Sequence, residues 1–273
     1  MIPAALRRSI RLPVVVLLLF GGLATVLLGF PFLRESARRT AIRVWSRGLC
    51  LGCGLRVVEV QVPGARALSA LPPGRLIVAN HVSWLDIFAI DALCPASFVA
   101  KAEIAGWPLV GTLVARAGTL FLERGKRRAV HRMIEHMDRS LRAGGRIAVF
   151  PEGTTGDGGG LLPFHANLMQ AAVVAGAPVV PVGLRYRNAD GSAAQAIAFV
   201  GDTTFVASMW RILGAPTMRC EVHPLPEIAV AQGDRRHDLA ARARAALADR
   251  LGLPMRDEIP DNLRDLRRAG EAR

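Results

Sequence analysis

Hydrophobic and polar positions divide the chain into an apolar leader, an amphipathic helix and a long region where apolar runs alternate with helical spacing. From Leu12 to Leu33 no residue is charged. About 22 residues at ~1.5 Å each reach ~33 Å, enough to cross a hydrocarbon core. Arg7, Arg8 and Arg11 precede the run as the n-region of a secretion signal would. The run is longer than such a signal needs, and basic residues from Arg34 to Arg39 follow it in place of a small-residue cleavage site, so an uncleaved membrane segment is expected. Gly21-Gly22 and Pro31 permit a bend, which leaves open both a spanning helix and a hairpin re-entering one leaflet. Next, Arg39, Arg43 and Arg47 recur every fourth residue while Ile42, Trp45 and Leu49 share a neighbouring face. This predicts an interfacial helix with Trp45 at headgroup depth and arginines on anionic lipid.

Beyond Leu55, β-type runs at Arg56–Val62, Arg75–Ala79, Ser97–Ala100, Thr119–Leu122, Arg146–Phe150 and Val179–Arg185 alternate with helical stretches. The helices are expected at Trp84–Leu93, Arg127–Arg142, Asn167–Gly176, Phe205–Leu213 and His237–Leu251. Such alternation predicts an α/β fold, and wholly apolar runs such as Ile147 to Phe150 suit central strands covered on both faces. No linker divides the region. The expected organisation is a membrane anchor with its interfacial helix over residues 1–54, one α/β domain over 55–254, and a charged tail over 255–273.

Composition sharpens this. The chain of 273 residues is 51% hydrophobic and carries 35 Lys+Arg against 22 Asp+Glu, a net charge of +13. Its mean hydropathy is nevertheless +0.30. Apolar and cationic together point to an anionic membrane surface, with Arg7 to Arg11 and Arg34 to Arg47 beside the apolar run for lipid headgroups. More arginines follow that run than precede it, which places the large domain on the cytoplasmic side. Nucleic-acid binding rests on charge alone: no matching motif is present and only 5% of residues are aromatic, so no nucleic-acid partner is expected. Four scattered cysteines make no disulfide framework, and Cys50-x-x-Cys53, lacking a second pair and flanked by leucines, reads as two buried thiols and not as a metal site.

Three segments carry candidate chemistry. Asn80-His-Val-Ser-Trp-Leu-Asp86 follows an apolar strand and opens a helix, with Ser83 and Asp86 spaced as a capping box. That explains Ser83 as a helix cap but leaves His81 at a strand's carboxyl end, where α/β proteins place ligands. A tight turn would let Asp86 accept the Nδ1 proton and leave Nε2 as a base. Phe121-Leu-Glu-Arg124 ends another strand in a cluster of cations able to hold an anion. Phe150-Pro-Glu-Gly-Thr154 runs into the glycine-rich stretch 156–160, where backbone can approach a ligand and Glu152 and Thr154 supply polar anchors.

In this order the segments resemble the glycerolipid acyltransferase family typified by the 1-acylglycerol-3-phosphate acyltransferases. Asn80, His81, Ser83 and Asp86 match its N-H-x-S-x-x-D motif, Phe121 and Arg124 its F-x-x-R block, Phe150 to Thr154 its F-P-E-G-T block, and Val180, Pro181 and Val182 its V-P-V block. The likeness covers about residues 57–187 and implies a mixed, largely parallel sheet flanked by helices, preceded by a membrane helix or helical hairpin. It implies transfer of a fatty acyl group from coenzyme A or acyl carrier protein to the free hydroxyl of a lysolipid, at the cytoplasmic face of a bacterial inner membrane. No cofactor or metal is implied. His81 would be the general base, Asp86 its orienter, and Asn80, Phe121, Arg124, Glu152, Gly153 and Thr154 would hold substrate. A non-catalytic membrane-surface module of the same fold is the competing class, and intact His81 and Asp86 argue against it.

One departure concerns the acceptor. Many relatives acting on lysophosphatidic acid read E-G-T-R, whereas Thr155 stands here, followed by Gly156-Asp157-Gly158, and His165 replaces a common downstream cation. Each charge-assisted contact contributes about 1.5–3 kcal/mol, so its loss lowers phosphate affinity tenfold or more. The variation looks like the bacterial branch that includes lyso-ornithine lipid acyltransferases, whose acceptor has no phosphate. Lysophosphatidic acid remains the first expectation because Arg124 is retained.

Overall fold

A seven-stranded sheet lies between two helical layers in the computed structural model, which describes residues 2–107, 109–123 and 127–261. The chain opens with α1 (Ala4–Ala24), prolonged by a wide helical turn at Thr25–Gly29 and a tight one at Phe30–Phe32, and returns along α2 (Glu35–Gly52). Then come β1 (Leu55–Glu59), β2 (Arg75–Ala79), α3 (Leu85–Asp91), β3 (Ser97–Lys101), α4 (Val110–Arg116), β4 (Leu120–Leu122) and α5 (Arg127–Arg142). The last third holds β5 (Arg146–Val149), α6 (Met169–Ala175), β6 (Val179–Asn188), α7 (Phe205–Gly214), β7 (Met218–Pro224) and α8 (Arg236–Leu251).

The spatial order is β1-β7-β6-β2-β5-β3-β4, parallel throughout except between β6 and β7. Alternation along each strand sorts the core in two. Ile77, Ala79, Val180, Val182 and Leu184 pack with α2, α3 and α7, whereas Leu76, Val78, Ile147, Val149 and Val179 face α5, α6 and α8. This is the expected mixed, largely parallel α/β sheet, with β2 and its carboxyl end near the centre.

Two elements escape the sequence reading. Strand β7 alternates Met218, Cys220 and Val222, which are buried, with Arg219 and Glu221. A search for wholly apolar central runs passes over such a strand, because only one of its faces is covered. The seven-residue α4 is too short for its periodicity to stand out.

The amino-terminal segment is a helical hairpin. Residues Ala4–Phe32 form a helical stretch long and apolar enough to cross a bilayer, with only 17% of its apolar window buried. One side of α1 nevertheless packs on α2 and α7. Here three expectations need correcting. Arg7, Arg8 and Arg11 do not spread toward headgroups: they donate to the carbonyls of Gly214 (2.8 Å), Trp210 (3.1 Å) and Ala215 (2.7 Å), capping the negative end of α7. Trp45 turns inward and does not point out to lipid, since its indole N–H donates to the Leu18 carbonyl at 2.6 Å and its ring meets Phe88 edge-on at 5.5 Å. Gly22 does not bend the segment; it stays helical, and a Cβ there would stand 2.5 Å from the Trp45 indole nitrogen, so the glycine admits that ring. All four cysteines are buried and unpaired, Cys50 and Cys53 inside the core as expected.

Candidate active site

Beyond Ala79 the chain leaves β2 and turns before α3, and side chains from α3, β6 and the segment after β5 converge on that turn. Asn80 fixes its start, its amide donating to the Leu184 carbonyl (3.0 Å) and accepting the Leu184 N–H (2.7 Å) on β6. His81 follows, its main chain stitched to the segment after β5: its N–H donates to Glu152 Oε1 and its carbonyl accepts from Gly156, each at 2.7 Å. The ring stacks on Phe150 at 4.0 Å and 11°. Nδ1 lies 2.7 Å from Asp86 Oδ2, and the side chain is 19% exposed, so Nε2 is the nitrogen left for substrate.

Asp86 is wholly buried but not short of partners. Oδ2 also accepts the N–H groups of Val82 (2.7 Å) and Ser83 (3.0 Å), and Oδ1 accepts the Tyr186 hydroxyl. Four donors on one carboxylate replace the water it lost on burial. Here the capping expectation is half right. Asp86 reaches back to the Ser83 N–H, but the helix begins at Leu85 with Trp84 as its flanking residue, and Ser83 Oγ accepts only a long 3.4 Å contact from the Leu85 N–H.

Glu152 points inward as well. Its two oxygens take the His81 and Leu162 N–H groups (2.7 and 3.0 Å), tying the histidine turn to the glycine-rich loop. Burial pushes its pKa up to about 8 against the pull of those two bonds. Gly153 turns the chain with a left-handed φ of 71°, and Thr154 is half-buried beside it. Thr155 is buried and donates its hydroxyl to the Phe199 carbonyl. Asp157 pairs with Arg256 at 3.0 Å, while Arg256 N–H bonds to the Leu161 carbonyl, so the first residues after 254 clasp this loop. Phe121 lies half-buried on β4, three strands from β2 at the same carboxyl edge. Arg124 lies outside the described residues, as do residues 262–273 of the charged tail. Sequence reasoning missed Tyr186 entirely. The available signal is its parity, since Val180, Val182, Leu184 and Tyr186 alternate on the face that α3 covers.

Chemically, an imidazole with Nδ1 bound to a buried carboxylate and its side chain partly exposed can act as a general base for a hydroxyl nucleophile. The sequence profile of the family described as Acyltransferase matches residues 60–185, the stretch that contains the histidine turn and the Glu152 loop. A 1-acyl-sn-glycerol-3-phosphate acyltransferase of Neisseria gonorrhoeae is 36% identical over 74% of this chain and 80% of its own. This chain belongs to the acyltransferase family. A lyso-ornithine lipid O-acyltransferase of Pseudomonas aeruginosa is 39% identical to the acyltransferase over 77% of this chain and 78% of its own. The crystal structure of the 1-acyl-sn-glycerophosphate (LPA) acyltransferase from Thermotoga maritima superposes with a TM-score of 0.63, covering 90% of the acyltransferase and 96% of that chain at 21% identity. That last likeness speaks for the fold.

Proposed function

We propose that the enzyme is a membrane-bound lysolipid O-acyltransferase that moves a fatty acyl group from a coenzyme A or acyl-carrier-protein thioester to 1-acylglycerol-3-phosphate, giving phosphatidic acid. The 2.7 Å contact between His81 Nδ1 and Asp86, in a side chain still 19% exposed, carries this reading. As the acceptor hydroxyl oxygen attacks the thioester carbonyl, its proton passes to Nε2. Asp86 holds the imidazolium that forms. When the C–S bond breaks, the same proton goes to the departing thiolate, so atoms and charge balance with no added cofactor. Phe121, Thr154 and Arg124 are the proposed acceptor contacts, Arg124 for the phosphate; Asn80, Glu152 and Gly153 shape the wall beside them. The apolar outer side of α1, together with the arginines on α2, supports residence at the cytoplasmic face of a membrane.

A second acceptor, lyso-ornithine lipid, is favoured by one observation. Thr155 spends its hydroxyl on the Phe199 carbonyl, and Arg256, the cation beside the glycine-rich loop, is paired with Asp157. Detergent-purified enzyme given radiolabelled acyl-thioester and a panel of lysophosphatidic acid, lyso-ornithine lipid and other lysolipids decides the matter. Transfer is expected with wild type and lost with His81→Ala; equal transfer by both would defeat the general-base assignment, and activity confined to the phosphate-free acceptor would replace the first substrate with the second.

A further inference from the structure

Asp86 has a second oxygen, and a residue 100 positions away holds it. Oδ2 serves His81 and two backbone N–H groups, while Oδ1 receives, among the described residues, the hydroxyl of Tyr186, the single tyrosine of the chain. Tyr186 stands on β6 two residues beyond Leu184, which is the partner of Asn80. One strand therefore grips the histidine turn twice, at Asn80 through main chain and at Asp86 through a side chain. The ring is enclosed, and Cys220 on β7 lies against the same hydroxyl. A phenylalanine would fill the same volume without burying a hydroxyl, which is costly unless the hydroxyl is hydrogen-bonded. What the hydroxyl adds is a donor to the catalytic carboxylate.

We infer that Tyr186 is a positioning residue for acyl transfer: it pins Asp86 Oδ1 so that Oδ2 stays on His81 Nδ1, and it disperses the carboxylate charge that the imidazolium feels. The inference rests on His81 acting as general base. A donor to a carboxylate stabilises its charged form and weakens it as a proton acceptor. Removing that donor leaves a freer, more basic Asp86. His81 is then both less well aimed and slower to give up its proton. Burial first, and then the Asp86 charge, keep the phenol protonated far above the ordinary tyrosine range, so it remains a donor wherever the enzyme works.

Because the chain has one tyrosine, two changes of opposite sign can be made at this site alone. Tyr186→Phe deletes the donor; 3-fluorotyrosine, incorporated biosynthetically, strengthens it at nearly constant volume. Full-length enzyme in detergent, with acyl-CoA and lysophosphatidic or lyso-ornithine acceptor, is followed across pH. For Tyr186→Phe, kcat should fall about tenfold with acceptor KM within about twofold, and the acid limb of kcat/KM should move up by about half a unit or more. The fluorinated enzyme should move that limb down. Unshifted limbs in both overturn the inference, as does a loss of activity from Tyr186→Phe without any shift. Should Tyr186→Phe fail to fold, the limb of the fluorinated enzyme decides alone. His81→Ala is assayed in parallel: if it stays active, the general-base reading falls and this inference with it, whereas an inactive His81→Ala beside unshifted limbs removes the inference only.

Discussion

Four contacts fix His81: Asp86 on Nδ1, Phe150 against the ring, Glu152 on its N–H and Gly156 on its carbonyl. Only the first meets a ring nitrogen, and Asp86→Asn tests it while changing little in volume. The asparagine can offer its oxygen to Nδ1 only by keeping its amide nitrogen away from the Val82 and Ser83 N–H groups that Oδ2 now accepts, and the Tyr186 hydroxyl then faces an NH2. Either orientation also costs the negative charge that, in the proposed mechanism, stabilises the imidazolium. Turnover is expected to drop by about 10²–10⁴, the usual share of general acid–base catalysis, with acceptor KM nearly constant. A variant retaining wild-type kcat would mean that Asp86 serves the fold alone. The mainly structural neighbours behave differently: Asn80 and Glu152 spend their polar atoms on main-chain groups, so their loss acts through the shape of the turn.

At the scale of elements, α3 is short and closes on a buried acid. Asp91 is its last residue, where the helix dipole disfavours an anion, and it accepts one N–H, from Ala96 at 3.0 Å. Burial pushes its pKa up to about 8, as it does for Glu152. The folded chain thus keeps protons on both groups from ordinary carboxylate pH to about 8, where the unfolded chain has released them. Stability should fall as pH rises through that window and level off above it. Asp91→Asn keeps an acceptor for Ala96 and removes one titration, so its melting temperature should decline less between pH 5 and 8.5 than that of wild type; each kcal/mol corresponds to about 2–4 °C in a chain of this size. Parallel declines in the two proteins would show that Asp91 is ionised in the fold. Most of the framework was legible because β2, β5 and β6 are apolar runs and α5 and α8 have clear helical periodicity. The histidine turn was legible because His81, Ser83 and Asp86 lie within one short segment. What stayed hidden depends on contacts distant in sequence: Tyr186 meeting Asp86, Thr155 turned onto Phe199, and Trp45 drawn inward by the space at Gly22. Periodicity reports which face of an element is apolar, but not which neighbour covers it.

Across the whole molecule, apolar character and charge separate more finely than their totals suggest. The arginines of α1 are engaged with α7, which leaves the opposite side of that hairpin arm to carry Leu17, Leu28 and Phe32, exposed by 73%, 72% and 87%. Those side chains touch little of the protein, whereas deleting the whole segment would also strip the caps from α7 and the cover from Leu49 and Cys50, confusing anchoring with folding. Point charges on the outer side are the cleaner test. Leu17→Glu with Leu28→Glu should leave the melting temperature of the detergent-solubilised enzyme within about 2 °C, since surface changes alter stability by only about half a kcal/mol. On a bilayer, one acidic residue at a helix centre costs about 2.5–3.5 kcal/mol, so two shift membrane partition by well over tenfold. The double variant should therefore move from the membrane pellet to the supernatant while still acylating lysolipid presented in detergent. Retention in the pellet with unchanged stability would place the membrane contact elsewhere, on α2 or on the exposed Val206 and Trp210 of α7.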